Sequence, residues 1–281
     1  MSPESSDKTP TFHASGFQAV RILGTGAHSH IWEVKDIHTG RTYAMKTVVK
    51  TCKEDERFFE QALNEYEIAQ AINHPNIRKI YSLRRIRKLF AVRELRLLME
   101  YCPGLSVQEH RPKNVLDACS VFAQVANALA KMNEYGYVHA DMKPNNIIVD
   151  EDGNVRMIDF GQSCRMGTVK QRIQGTPDYM APEQVRRDPL DARTDVYNFG
   201  ASLYWTLTGK PLPSILPRHV RQPAGPDFGK PARELNPHVP PMLDELVCDC
   251  TSLDPDERPQ TMQEVIDRMG VILQKELASA D

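Results

Sequence analysis

Between residues 137 and 161 (YVHADMKPNNIIVDEDGNVRMIDFG) the chain carries two carboxylates, an ammonium group and an amide at spacings that chemistry can use: Asp141, Lys143, Asn146 and Asp159. Apolar, β-type runs at 147–149 and 155–158 flank Glu151-Asp152-Gly153-Asn154. An Asp-Gly pair between such runs predicts a hairpin, because a tight turn of matching twist needs φ > 0. With Asp152 and Gly153 as the two central turn residues, Asn146 lies opposite Asp159, their Cβ atoms roughly 5 Å apart. A carboxylate and an amide oxygen then share the open end of one hairpin. Hard oxygen donors of that kind suit Mg²⁺, which keeps water and phosphate oxygens among its ligands.

His139-Ala140-Asp141, Lys143, Asn146 and the following Asp159-Phe160-Gly161 resemble the catalytic loop and D-F-G triplet of the protein kinases. The resemblance implies that Asp141 accepts or orients the proton of a substrate hydroxyl and that Lys143 stabilises charge on the transferring phosphoryl group. It implies Asn146 and Asp159 as ligands of Mg²⁺, with Mn²⁺ as the alternative ion. No covalent intermediate is needed; the work is positioning and electrostatics. Ala140 departs from the pattern, since many kinases carry there an arginine that receives a phosphorylated residue of the activation segment. Its absence predicts a segment ordered without phosphorylation. In that segment Ser163 and Thr168 are the plain hydroxyl candidates, and Thr176 matches the position that contacts Lys143 and the substrate. Glu183, in Ala181-Pro182-Glu183, and Arg258 match a buried structural pair, while Asp195 matches the residue that braces the catalytic loop. Cys164 reads as an inert packed thiol.

The elements that must position these groups begin with β-type runs at 17–23 and 31–34 around Gly24-Thr25-Gly26-Ala27-His28-Ser29. Glycines there let a backbone approach phosphate oxygens closely. A dinucleotide-binding loop would open a helix, whereas this one leads into a strand, like the kinase glycine-rich loop. Ser29 stands at that loop's third glycine, a departure that stiffens it or changes its approach. Leu23 and Ile31, flanking the loop, join the implied nucleotide-facing set. Lys46, in Ala44-Met45-Lys46, is by itself an ordinary solvated strand lysine. In this context it resembles the kinase lysine that contacts the α- and β-phosphates, with Ala44 facing the nucleotide. Residues 55–73 carry a helical apolar repeat ended by His74-Pro75-Asn76. The family's helix glutamate, nine residues before that histidine, is Glu65. Strand-like runs at 80–83 and 95–100 surround the basic stretch 84–88, read as a charged hairpin that keeps an edge soluble. The passage from Leu97 to a Pro103-Gly104 break resembles the kinase hinge. Met99 then stands as gatekeeper and Glu100, Tyr101 and Cys102 as the adenine-facing strip, and Ile148 joins the implied nucleotide-binding set. Residues 114–135 predict a helix with one buried face, stopped at Gly136. The run 193–209 predicts a central apolar helix. Prolines crowd 211–241, which reads as an irregular surface excursion; helices at 242–252 and 260–277 close the chain.

Composition sets the outer bounds. The 35 basic and 37 acidic residues predict neither a nucleic-acid binder nor a membrane-surface protein. Six cysteines without a C-x-x-C pair read as reduced thiols. No apolar run approaches the roughly 18 residues of a membrane span, and the polar start is not a signal peptide. The expectation is a soluble, cytoplasmic monomer. The resemblance covers residues 17–277 and implies an α+β, bilobal protein-kinase fold. A flexible tail (1–14) precedes a small β-rich N-lobe with one regulatory helix (15–99), a hinge (100–103), a larger helical C-lobe (104–277) and a short tail (278–281). It also implies transfer of the γ-phosphate of Mg-ATP to Ser/Thr hydroxyls of a protein substrate, and is similar to bacterial members in its lean activation segment. An ATP-binding pseudokinase or scaffold is the alternative; loss of Lys46, Asp141, Asn146 or Asp159 would favour it, and all four are present. Small-molecule kinases of related fold typically lack the GTPDYMAPE segment.

Overall fold

The computed structural model describes residues 12, 14–26, 28–213 and 229–280. Ala27, nearly all of the expected N-terminal tail and the centre of the proline-rich stretch lie outside the described residues. The chain divides into two compact units, one built from the chain up to Phe59 with Ile80–Tyr101, the other from Glu60–Lys79 with the chain from Cys102 onward.

The first unit is a five-stranded antiparallel sheet in the order β1-β2-β3-β5-β4, with β1 Phe17–Thr25, β2 Ser29–Asp36, β3 Thr42–Val49, β4 Ile80–Lys88 and β5 Ala91–Glu100. Alternation along β5 explains its one-sided packing: Leu95, Leu97 and Met99 are buried while Glu94, Arg96 and Leu98 are half-buried. Trp32, Val34 and Met45 form a buried cluster of this unit. Lys46 sits in the interior of the sheet, opposite Ile31 of β2 and Leu97 of β5.

Helix α1 (Glu56–Ala71) begins in the first unit, but from Glu60 it belongs to the second. Ile68, Ile72 and Ile77 enter the core built by α2 (Val115–Glu134) and α4 (Ala192–Thr208). Asn76 Nδ2 donates to Gln124 Oε1 and to the Val155 carbonyl, both at 3.0 Å.

Helix α2 starts where its chemistry says it should: Asn114 Oδ1 accepts from the Asp117 amide at 2.8 Å, and Gly136 follows at φ 76°. Phe122 of α2 meets Phe199 of α4 edge-on, centroids 5.4 Å apart. Helices α3 (Pro182–Arg186), α5 (Ala232–Leu235), α6 (Pro241–Cys250) and α7 (Met262–Ala280) complete the helical part. Helix α7 continues three residues past its expected end at 277. Short strands β6 (Leu105–Ser106), β8 (Ile147–Val149) and β9 (Val155–Met157) form one small sheet, and β7 (Tyr137–Val138) pairs with β10 (Cys164–Arg165).

The β8–β9 hairpin forms, but one residue out of the expected register. Val149 pairs with Val155 and Ile147 with Met157. The turn holds three residues, not two: Asp150 exchanges backbone bonds with Gly153 and Asn154, and Gly153 takes φ 81°. Asp150 Oδ1 decides this by accepting from the Asp152 and Asn154 amides, at 3.0 and 2.8 Å, which favours a wider loop closed by a left-handed glycine. Asn146 therefore stands opposite Ile158, whose amide donates to its carbonyl at 3.0 Å. Asp159 lies one residue beyond the ladder, at φ 66°.

Candidate functional site

Residues 139–146 sit between β7 and β8 on backbone held from behind by a buried carboxylate. Asp195, in the first turn of α4, accepts from the His139 and Ala140 amides at 3.0 Å each and from Asn133 Nδ2 at 2.9 Å. Burial pushes its carboxyl up to about 6 against the pull of these donors. The bonds also account for Ala140 holding φ 59°, a conformation that L-residues avoid. Its carbonyl takes a further bond from Gln184 Nε2 at 2.7 Å, and Gln184 is itself fixed by Asn198 Nδ2 at 2.9 Å. His139 is fully buried; its Nδ1 accepts from the Asp141 amide at 3.3 Å and its ring lies edge-on to Phe160.

Asp141, 8% exposed, has both oxygens engaged. Lys143 Nζ donates to Oδ2 at 2.8 Å and to Thr176 Oγ1 at 2.7 Å, while the Thr176 hydroxyl donates to Oδ1 at 3.0 Å. The result is a closed triangle of carboxylate, ammonium and hydroxyl. Asn146 ends a 3₁₀ turn whose Pro144 fixes the first residue. Its Nδ2 donates to the Asp141 carbonyl at 2.9 Å, so Oδ1 is the atom left to face a cation. Among the described residues no cluster of three or more His, Cys, Asp or Glu could hold a metal alone. That donor set fits an ion that completes its shell with phosphate and water oxygens.

Helix α1 reaches this segment through a residue that sequence reasoning passed over. Asn64 Nδ2 donates to three carbonyls in and just after the D-F-G triplet, Phe160 at 3.1 Å, Gly161 at 3.4 Å and Ser163 at 2.8 Å. Gly161 permits the approach: a Cβ there would lie 3.3 Å from Gln61 Cβ. Glu65, next in the helix and fully buried, accepts from Arg78 NH2 at 3.0 Å. Arg78 was equally unforeseen, because nothing in H-P-N-I-R marks its fifth residue as buried. For Gln184 and Asn198 the only signal is position, one residue past Glu183 and on the polar side of an otherwise apolar helix.

The segment from Gln162 to Met180 is held by packing and hydrogen bonds with the chain around it. Ala140 packs with Val138, Cys164 and Leu190, an apolar cluster where an arginine would stand. Thr168 forms a β-bridge with Leu190, Lys170 Nζ donates to the Gln162 carbonyl and Arg187 NH1 to that of Gln171. Both plain hydroxyl candidates are occupied: Ser163 is buried and donates to the His139 carbonyl, and Thr168 donates to that of Arg165. Cys164 is buried, and burial raises its thiol pKa. Glu183 and Arg258 form the expected buried fork, at 2.9 and 3.0 Å, with Thr194 Oγ1 adding a bond at 2.9 Å.

In the sheet unit, Gly24 pairs with Ile31 and Thr25 with His30; Gly26 N then donates to the Ser29 carbonyl at 2.8 Å. Leu23 is exposed, and Ser29 is the first residue of β2. His28 stacks on Phe58 at 4.5 Å and its Nδ1 lies 3.3 Å from Asp55 Oδ1. Asp55 also caps Thr51 and Cys52, bonds that hold its carboxyl below the usual range, the Thr51 hydroxyl foremost. Ala44 and Met99 are a buried cross-strand pair, Glu100 pairs with Tyr43, and the Tyr101 hydroxyl meets Arg21 at 3.1 Å. Half-buried Cys102 and Ile148 belong to the second unit, Ile148 paired with Ser106 and Arg156.

Residues 17–268 match the family described as the protein kinase domain. The chain is 29% identical over 260 residues to a probable serine/threonine-protein kinase of Clostridium acetobutylicum, covering 88% of this chain and 38% of that protein. It is 29% identical over 273 residues to the serine/threonine-protein kinase PknB of Mycolicibacterium smegmatis (92% and 43%). To the serine/threonine-protein kinase PrkC of Bacillus subtilis it is 28% identical over 264 residues (89% and 39%). The chain thus spans about two fifths of the length of these relatives.

Proposed function

Because the chain belongs to the protein kinase domain family, we propose that it is a serine/threonine protein kinase, transferring the γ-phosphate of Mg-ATP to serine and threonine hydroxyls of proteins. The observation that carries this reading is the closed triangle of Asp141, Lys143 and Thr176. Asp141 would take or orient the acceptor's proton, and Lys143 would offset charge on the moving phosphoryl group. Thr176 holds both in place and is the group an incoming hydroxyl would displace.

Asn146 and Asp159 would hold Mg²⁺, which when bound neutralises phosphate charge. Lys46 and the loop from Gly24 to Ser29 would contact the phosphates, with Glu65 as the helix carboxylate of the same machinery. Met99, Glu100, Tyr101 and Cys102 would face adenine. The names of the bacterial relatives support the Ser/Thr class. The apolar setting of Ala140 and the occupied hydroxyls of Ser163 and Thr168 favour activity without phosphorylation of the activation segment.

The test uses labelled Mg-ATP, a generic Ser/Thr-rich protein, wild type and Asp141→Asn. Label on the acceptor, or on the kinase itself, should fall by about a hundredfold or more in the variant, the scale of a lost general base. ATP binding without any label transfer by wild type would favour the pseudokinase.

A further inference from the structure

The β4–β5 hairpin presents a surface that nothing in the catalytic reading uses. Arg84, Arg85, Arg87 and Lys88 of β4 and Arg93 of β5 are all exposed. No acidic residue occurs between Ser82 and Arg93. Glu94, which follows, is already bonded to Arg96. Arg84 and Arg96 stand opposite each other in the ladder, a like-charge pairing that lowers stability. The overall balance, a net charge of −2, predicts no membrane-surface protein, but it averages over one strongly cationic projection.

Edge protection accounts for part of this, since β4 is an outer strand and cations blunt such an edge. It does not account for the tip. Lys88 pairs with Ala91, leaving Leu89 and Phe90 as the two turn residues, 90% and 100% exposed. Leu89 holds φ 57°, a turn conformation that Gly, Asn or Asp adopts at little cost and leucine does not. Stability and solubility would both favour a polar turn. Two apolar side chains pointed outward from a cationic stem are rewarded where an apolar layer lies just beneath negative charge.

We propose that this hairpin is a membrane-surface anchor: Leu89 and Phe90 enter the headgroup region of an anionic bilayer while Arg84, Arg85, Arg87, Lys88 and Arg93 meet its phosphates. The charge arrangement favours a bilayer over an acidic protein. The cations lie along both strands, so they match a diffuse plane of negative charge. The tip is convex and carries two adjacent apolar groups, which lipid accepts without a preformed pocket. The stems of the arginines and the lysine can lie along the interface with their charges in the headgroup layer.

Flotation of the 281-residue chain tests it, using phosphatidylcholine vesicles with and without about 30 mol% phosphatidylglycerol. Wild type should float with the anionic vesicles only, and should be released by about 0.5 M salt. Leu89→Ser/Phe90→Ser should weaken binding about tenfold or more, as loss of the buried apolar contribution requires, with an unchanged circular dichroism melt. Phe90→Trp should gain a blue-shifted emission on anionic vesicles, read against the two native tryptophans of wild type. Failure of wild type to float, undiminished binding by the double serine variant, or no blue shift would each overturn the proposal. Binding to poly-glutamate without binding to vesicles would overturn it in favour of an acidic protein partner.

Discussion

Burial keeps the His139 imidazole neutral, and that has a measurable consequence. Its pKa falls from 6.5 to about 4, desolvation outweighing the neighbouring carboxylates. A depressed folded value means that the unfolded chain binds the proton more tightly. The contribution is complete above pH 6.5 and is lost as pH falls toward 4, about 3 kcal/mol in all. Asp195, raised from 3.8 to about 6, has the opposite sign: it favours the fold at low pH and loses that effect as pH rises through 6. Comparison of wild type with His139→Gln cancels Asp195, which both chains keep. Urea unfolding between pH 7 and pH 4 should show wild type losing more stability than the variant; parallel curves would place the proton elsewhere. At the proposed metal site, Asp159→Ala should abolish transfer without lowering the melting temperature by more than a few degrees. Retained turnover would remove Asp159 from the proposed ligand set.

At the scale of elements, two attachments to the D-F-G segment can be separated. Helix α1 holds it through Asn64, whose single amide serves three carbonyls. Asn64→Leu strands those carbonyls, a loss of about 1–3 kcal/mol in local order. In steady-state kinetics kcat should fall about tenfold with little change in KM for ATP, since local disorder lowers the competent fraction rather than nucleotide contact. An unchanged kcat would mean that the helix does not order the segment. The activation segment is held by the β7–β10 pair, the Thr168–Leu190 bridge and the packing around Ala140. Phosphatase treatment should therefore leave activity nearly intact. A large loss would reveal a phosphorylated residue with another basic partner.

Across the whole molecule, the two compact units carry separate cores and separate consequences. Glu183 and Arg258 join α3 to the chain before α7 entirely within the second unit, with Arg258 also set against the Tyr197 ring at 4.9 Å. Glu183→Ala leaves a buried guanidinium unpaired and should cost about 3–5 kcal/mol. Hydrogen exchange should then accelerate across α4, α6 and α7 while the protection pattern of β1–β5 is retained. Acceleration spread evenly over both units would show that they unfold as one.

Much of this was legible in the sequence, because local chemistry dominates where a motif is contiguous. Asn114 and Gly136 bound α2, the apolar repeat of 55–73 is α1, and Glu183 finds Arg258. What sequence alone misplaced was decided by one side chain acting on its own backbone: Asp150 bonds two amides beyond it, adds a third residue to the turn and shifts the register of β8 against β9. What sequence could not contain was decided by distance along the chain. Asn64 meets Phe160, Arg78 turns back to Glu65, and Gln184 reaches the Ala140 carbonyl, pairings in which neither partner's neighbours announce the other. The charged stretch 84–88 was visible as charge, but the outward aim of Leu89 and Phe90 was not, since apolar letters in a sequence ordinarily go inside. Spacing determines which groups an element offers; only tertiary packing determines which of them meet, because hydrogen-bond partners must converge within about 3 Å.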